Sequence, residues 1–227
     1  MTRLLLVHGA FHGGWCWERL LPELSALGVE AETIDLPFTT PDDDREAVAS
    51  AVDRLGATGE PVVAVGHSFG GAVITAAAGG AGGRRAASHL VYLTAIMQEP
   101  GRPIDLGQTP GLAALRMEGE TASVDPAGAT IAFYHRCAPD DAERATARLR
   151  PMPTAVLAAP PPDHVAWRHV PSTYIVCTDD QIISPAQQRV MAAQAGARVE
   201  MDSDHSPFLS CPAELAGVLA GIAAGVT

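Results

Sequence analysis

Gly66-His67-Ser68-Phe69-Gly70 is the segment of this 227-residue chain whose residue types and spacing point most directly to chemistry. A serine framed by two glycines follows an apolar run at 61–66 and precedes a helical pattern at 69–78. That context predicts a sharp strand-to-helix turn that pushes the serine hydroxyl into the open. A hydroxyl is a weak nucleophile until a base takes its proton. Of the 8 histidines, His205 is the best placed, in Asp202-Ser203-Asp204-His205-Ser206-Pro207 between a short predicted strand and the last helix. His67 adjoins the serine but points from the wrong side of the turn. An imidazole base needs a carboxylate to hold its tautomer and its charged form. Asp179 and Asp180 both end a predicted strand, and spacing alone does not choose between them. Charge developing on a substrate oxygen needs backbone N–H donors. Phe69, directly after the serine, offers one. Ala10, in the turn His8-Gly9-Ala10-Phe11-His12-Gly13-Gly14, offers the other. Phe11 and Phe208 flank the same place and are expected to line a substrate pocket. His8 and His12 lack a third partner for a metal, so neither a metal nor any other cofactor is expected.

The elements that must position these residues alternate along the chain. Buried strands are expected at 3–8, 29–36, 61–66, 89–96, 171–178 and 197–201, and helices at 15–27, 44–55, 69–78 and from Pro185 to Gly196, with Ser210 and Pro212 opening a last one. Leu20, Leu24 and Leu27 should share one buried face, as should Val48, Val52 and Leu55. Repeated strand-helix-strand units predict an α/β fold: a mostly parallel sheet of about six strands with helices on both faces. The serine, the acid and His205 then all sit at strand C-terminal ends, the edge where open parallel sheets form sites. The alternation breaks once. Residues 97–164 form an insertion within a single domain spanning 1–227, with helical pieces at 111–117, 130–136 and 140–149, and its size suggests a lid.

Composition narrows the function. Hydrophobic residues make up 47% of the chain and charged residues 18%, so it folds around a core. The net charge of -11 disfavours nucleic acid and anionic membranes as partners. All 15 basic residues are arginine, so Schiff-base and P-loop chemistry, which need a lysine amine, are excluded. Cys16, Cys137, Cys177 and Cys211 form no CxxC pair and read as free thiols, which suggests the cytoplasm. No apolar run is long enough to span a membrane.

The chain resembles the α/β-hydrolases, in the branch of plant methylesterases, hydroxynitrile lyases and bacterial esterases. The resemblance rests on Val7-His8-Gly9-Ala10-Phe11-His12-Gly13-Gly14-Trp15, Ile34-Asp35-Leu36, Gly66-His67-Ser68-Phe69-Gly70-Gly71, Tyr174-Ile175-Val176-Cys177-Thr178-Asp179-Asp180 with Pro185, and Asp204-His205-Ser206-Pro207-Phe208-Leu209-Ser210. It implies a Ser68–His205–Asp180 triad, because the family's acid lies a few residues before a proline. It also implies a helical cap made by the insertion. The lyases carry a hydroxyl residue after the first histidine and a lysine after the catalytic one. Gly9 and Ser206 stand there, which favours ester hydrolysis. The implied activity is cleavage of a small carboxylic ester or acyl compound by way of an acyl-enzyme; a homodimer is the candidate assembly. The rivals are a thioesterase, lactonase, cyclase or lyase on the same triad, or a ligand-binding receptor with slow hydrolysis.

Overall fold

A computed structural model describes residues 2–226. Nine strands form two sheets. Six of them, β1 (Arg3–Val7), β2 (Glu30–Ile34), β3 (Val62–His67), β4 (His89–Leu93), β8 (Ser172–Cys177) and β9 (Ala197–Met201), pair in parallel in the order β2-β1-β3-β4-β8-β9. Every pairing in this sheet is parallel. The chain leaves β1 for one neighbour and returns on its other side as β3, which opens a crevice at the strand C-termini.

The central strands are buried on both faces, which explains their near-continuous apolar runs. Alternate residues serve alternate layers. Leu5, Val7, Ala64, Tyr92 and Val176 pack with helices α2 (Pro41–Leu55) and α3 (Phe69–Ala77). Leu4, Leu6, Val63, Val65, Leu93 and Cys177 pack with α1 (Leu20–Ala26) and α9 (Pro212–Ala224). Val48, Val52 and Leu55 face inward as their spacing predicts.

The expected helix at 15–27 is instead a 3-10 turn, Gly14–Trp17, followed by α1. Pro22 gives the reason: proline is tolerated only in the first turn of a helix, so α1 cannot begin much earlier than Leu20. Leu27 falls at the cap and is 53% exposed rather than buried.

The segment between β4 and β8 mixes helix and strand. It holds β5 (Leu115–Glu118), β6 (Thr121–Val124) and β7 (Met152–Pro153) as a small antiparallel sheet. Its helices are α4 (Pro126–Ala129), a π-helical turn over Thr130–Tyr134, α5 (Pro139–Thr146) and α6 (Thr154–Leu157). The helix expected at 111–117 is corrected: a 3-10 turn gives way there to β5. The local signal is Gly119, whose φ of +59° opens a two-residue hairpin. The remaining helices, α7 (Pro185–Ala192) and α8 (Pro207–Ser210), follow β8 and β9. Ser184 caps α7 by accepting the Gln187 N–H at 3.2 Å.

Candidate active site

The strand-to-helix turn after β3 is strained and tightly held. Ser68 adopts φ 51° and ψ −120°, a conformation a side-chain-bearing residue keeps only under constraint. Its N–H donates to Leu93 O at 3.2 Å, and its carbonyl accepts from the N–H groups of Gly71 and Ile96, each at 3.0 Å. The flanking glycines are obligatory. A Cβ on Gly66 would come within 2.7 Å of the Gly70 backbone, and one on Gly70 within 2.5 Å of Val7 O. Phe69 is the first residue of α3, so its N–H has no acceptor within the helix, and the helix N-terminus favours negative charge there.

Asp180 and His205 come from the loops after β8 and β9. Those loops are tied by Thr178 N–H to Met201 O at 2.9 Å and Asp179 N–H to Ser203 O at 3.0 Å. Asp180 is buried, and its carboxylate receives five donors. Ile182 N–H (2.6 Å) and Ile183 N–H (3.0 Å) reach Oδ1. Thr94 Oγ1, Gln188 Nε2 (3.1 Å) and His205 Nδ1 (2.7 Å) reach Oδ2. With Nδ1–H donated to Asp180, His205 keeps the lone pair of Nε2 free to accept a proton. Asp179, the neighbouring candidate, is half exposed and lies 3.2 Å from His135 of the inserted segment. The geometry therefore separates two carboxylates that spacing left equivalent. Among the described residues no hydrogen bond runs from Ser68 Oγ to the His205 ring. Contacts of this kind often tighten only in the substrate complex.

No motif points to Gln188 or Thr94. Thr94 had one usable signal: it follows β4 at the same sheet edge as the other site residues.

Three buried histidines hold backbone around this pair. His8 Nδ1–H donates to Gly9 O at 2.9 Å, and His8 Nε2 accepts the Leu36 N–H at 3.0 Å. His12 Nδ1–H donates to Ala10 O at 2.8 Å, and His12 Nε2 accepts the Tyr134 hydroxyl at 2.8 Å. His67 Nε2–H donates to His205 O at 2.8 Å. Burial is the main cause that lowers all three pKa values: to about 4 for His8, to about 3 for His12 and well below the usual range for His67. Each ring is thus neutral, with one N–H to give. The Gly9–Ala10 peptide is planar, so pinning the Gly9 carbonyl to His8 turns the Ala10 N–H the opposite way. A Cβ on Gly9 would lie 2.9 Å from Ser68 Cβ, which places this peptide against the serine.

The two phenylalanines expected in the pocket part company. Phe11 sits in the turn itself with φ +66° and is buried. Phe208 is fully buried in the core: its ring packs edge-on against Trp17 at 5.0 Å and His67 at 4.9 Å. Its place on α8 behind His205 is what buries it. Phe133 of the inserted segment reaches the site instead, with its ring 5.6 Å from His205 and 5.4 Å from His12. Beside Phe69 a cleft of about 30 Å³, lined in part by Asp44, Val73, Val156 and Pro160, has room for roughly one water.

Residues 4–218 match the model of the alpha/beta hydrolase family. The chain is 30% identical to "Alpha/beta hydrolase nvfD" of Aspergillus novofumigatus, over 92% of this chain and 91% of that one. It is 30% identical to "Methylesterase 18" of Arabidopsis thaliana, over 93% of each. A solved pyrethroid hydrolase from Sphingobium faniae JZ-2 superposes with a TM-score of 0.82 at 25% identity, covering 98% of this chain and 97% of that one. By sequence and by architecture, the chain belongs to the alpha/beta hydrolase family.

Proposed function

We propose that the protein is a serine hydrolase that cleaves a small carboxylic ester. Ser68 Oγ attacks the ester carbonyl as His205 Nε2 takes its proton. Asp180 holds the ring and balances the imidazolium. The N–H groups of Ala10 and Phe69 take the oxyanion. His205 returns the proton to the leaving alcohol, and the Ser68 ester remains. Water, activated by the same base, then releases the acid. The observation that carries this reading is the buried Asp180–His205 hydrogen bond beside the strained Ser68 turn.

Phe133, whose ring lies 5.6 Å from His205, supplies an apolar wall for the acyl or alkyl group. Methyl esters are the first substrates to test, given the methylesterase relatives. Residues 97–164 act as the lid over this edge of the sheet. Hydrolysis is favoured over lyase chemistry because Gly9 and Ser206 stand where the lyases carry a hydroxyl residue and a lysine. Among the described residues no helix is long and apolar enough to cross a membrane. Four free cysteines fit a cytoplasmic setting.

The test is intact mass after treatment with a serine-directed phosphonate, with the modified peptide mapped. Labelling at Ser68 that is lost in Ser68→Ala and His205→Ala supports the reading. A wild-type protein that stays unlabelled, and turns over no methyl or aryl ester, overturns it.

A further inference from the structure

The turn that carries the Ala10 N–H is held from two directions. From its own side, His8 and His12 take the Gly9 and Ala10 carbonyls. From across the site, one residue of the inserted segment takes the next two. Arg150 N–H donates to Phe11 O at 2.9 Å, and Arg150 Nε–H donates to His12 O at 3.0 Å. The same guanidinium donates to Leu36 O at 2.6 Å, while Leu36 N–H is held by His8. It also lies flat over the Phe38 ring, 4.4 Å from its centre. Among the described residues no carboxylate lies within ion-pair distance of Arg150. Its partners are backbone carbonyls and an aromatic face, which is an unusual use of a partly buried cation.

Four consecutive carbonyls, from Gly9 to His12, are therefore all pinned, and Arg150 pins half of them. The strained φ of Phe11 makes the clamp necessary, because a left-handed phenylalanine relaxes unless its peptide is held on both sides. The cation also helps keep His8 neutral, so that His8 Nε2 can go on accepting from Leu36.

From this geometry we infer that Arg150 is a positioning residue for the oxyanion turn, so that the inserted segment sets the rate of the reaction as well as covering the site. The inference rests on the hydrolase reading for its kinetic consequence, but not for its structural one. Arg150 touches no reacting atom. Its guanidinium acts through the His12 and Leu36 carbonyls on the direction of the Ala10 N–H, while its backbone N–H holds Phe11 O whatever the side chain.

The experiment uses Arg150→Ala, Arg150→Lys and Arg150→Gln in the full chain. With an ester turned over by the wild type, Arg150→Ala lowers kcat by up to about 100-fold, the scale of an ångström-size misplacement, with KM little changed. Affinity for a trifluoromethyl ketone, which forms an anionic adduct on the serine, falls by the same factor. Affinity for the neutral product alcohol does not. Methylguanidine at a sub-denaturing concentration restores Arg150→Ala, whereas Arg150→Lys stays slow, because lysine lacks the planar fork. Arg150→Gln, which unlike alanine keeps a side-chain amide donor, is intermediate and serves if the alanine variant fails to fold; the backbone N–H to Phe11 O survives in all three variants. Unchanged kcat, or a loss confined to KM, overturns the inference. A substrate-free readout separates it from the hydrolase reading: the 15N resonance of the Ala10 amide shifts in Arg150→Ala and returns with methylguanidine. An unmoved Ala10 amide overturns the clamp. A moved amide in a protein whose Ser68 resists the phosphonate leaves the clamp standing and sinks the hydrolase.

Discussion

His67 and His205 are joined by a 2.8 Å hydrogen bond from the side-chain Nε2–H of the first to the main-chain carbonyl of the second. Their rings lie 4.7 Å apart. His67 is the residue before Ser68 in the chain, so this bond fixes the backbone of the proposed base relative to the proposed nucleophile. Phe208 braces the His67 ring from behind. Replacing His67 with leucine keeps a buried side chain of similar volume and removes the donor. The buried His205 carbonyl is then unpaired, which costs about 1–3 kcal/mol. The expected result is a lower urea midpoint together with a kcat about tenfold lower, within the range a small misplacement of a catalytic group produces. A variant with lowered stability but full kcat would show that the bond holds the fold and not the base.

Asp180 is expected to depend on two residues that no motif marks. Thr94→Val and Gln188→Leu each remove one donor from Oδ2, the oxygen that also holds His205. A hydrogen bond to a charged group contributes about 1.5–3 kcal/mol. Thr94→Val should lose that stability, and Gln188→Leu more, because it also unpairs the buried Cys177 N–H and the Ile183 carbonyl; both should turn over more slowly, and the double variant should lose more than either. Steady-state kinetics and urea melts on the three proteins check this. Equal kcat across all three would mean that Ile182 and Ile183, through Oδ1, suffice to place the carboxylate.

Acid should unfold the protein through its neutral histidines. The folded pKa values are about 4 for His8 and about 3 for His12, against an ordinary 6.5. The unfolded chain therefore binds these protons first as pH falls. The stability that follows from keeping the rings neutral is complete above about pH 6.5. It is lost progressively as pH falls toward 4 and then 3. Each shift corresponds to on the order of 3 kcal/mol or more, comparable with a large part of a domain's net stability. Urea midpoints measured from pH 8 downward should fall steeply below pH 6.5. His12→Gln, which keeps a donor and an acceptor but cannot be protonated, should show a shallower fall. Parallel curves would remove His12 from the account.

Two glycine substitutions should behave in opposite ways. Gly70→Ala drives a Cβ into Val7 O and His8 O at 2.5 and 2.7 Å, against backbone that cannot yield. The expected outcome is loss of soluble, folded protein. Gly217→Ala sits on the exposed face of α9 with nothing within 4 Å of the new Cβ. It should raise stability by up to about 1 kcal/mol, the helix preference of alanine over glycine. Thermal melts distinguish the two directly.

Much of this was legible in the residues. The Ser68 turn announces itself because a strained strand-to-helix junction admits only glycine at positions 66 and 70, and that restriction is written in residue type. The sheet is legible because strands buried on both faces must be apolar throughout. Other features were not. Leu27 fits a helical face by spacing and yet lies exposed, because the helix ends at Ala26 and Leu27 falls at its cap. Residues 111–117 have helical spacing and yet the last three of the seven fall in β5, because hairpin pairing with β6 outweighs local preference.

What the sequence determined by itself is whatever depends on local stereochemistry: the turn that presents Ser68, the alternation that builds a parallel sheet, and the arrival of Asp180 and His205 at strand ends on one edge. What only the tertiary structure decided depends on which distant groups meet. Asp180 rather than Asp179 faces His205, since adjacent residues at a strand end point to opposite sides. Thr94 and Gln188 join that carboxylate from two other elements. Arg150 reaches back across 138 residues to His12 O, a pairing that leaves no periodic trace, because a hydrogen bond to a backbone carbonyl places no demand on the side chain of the residue that accepts it.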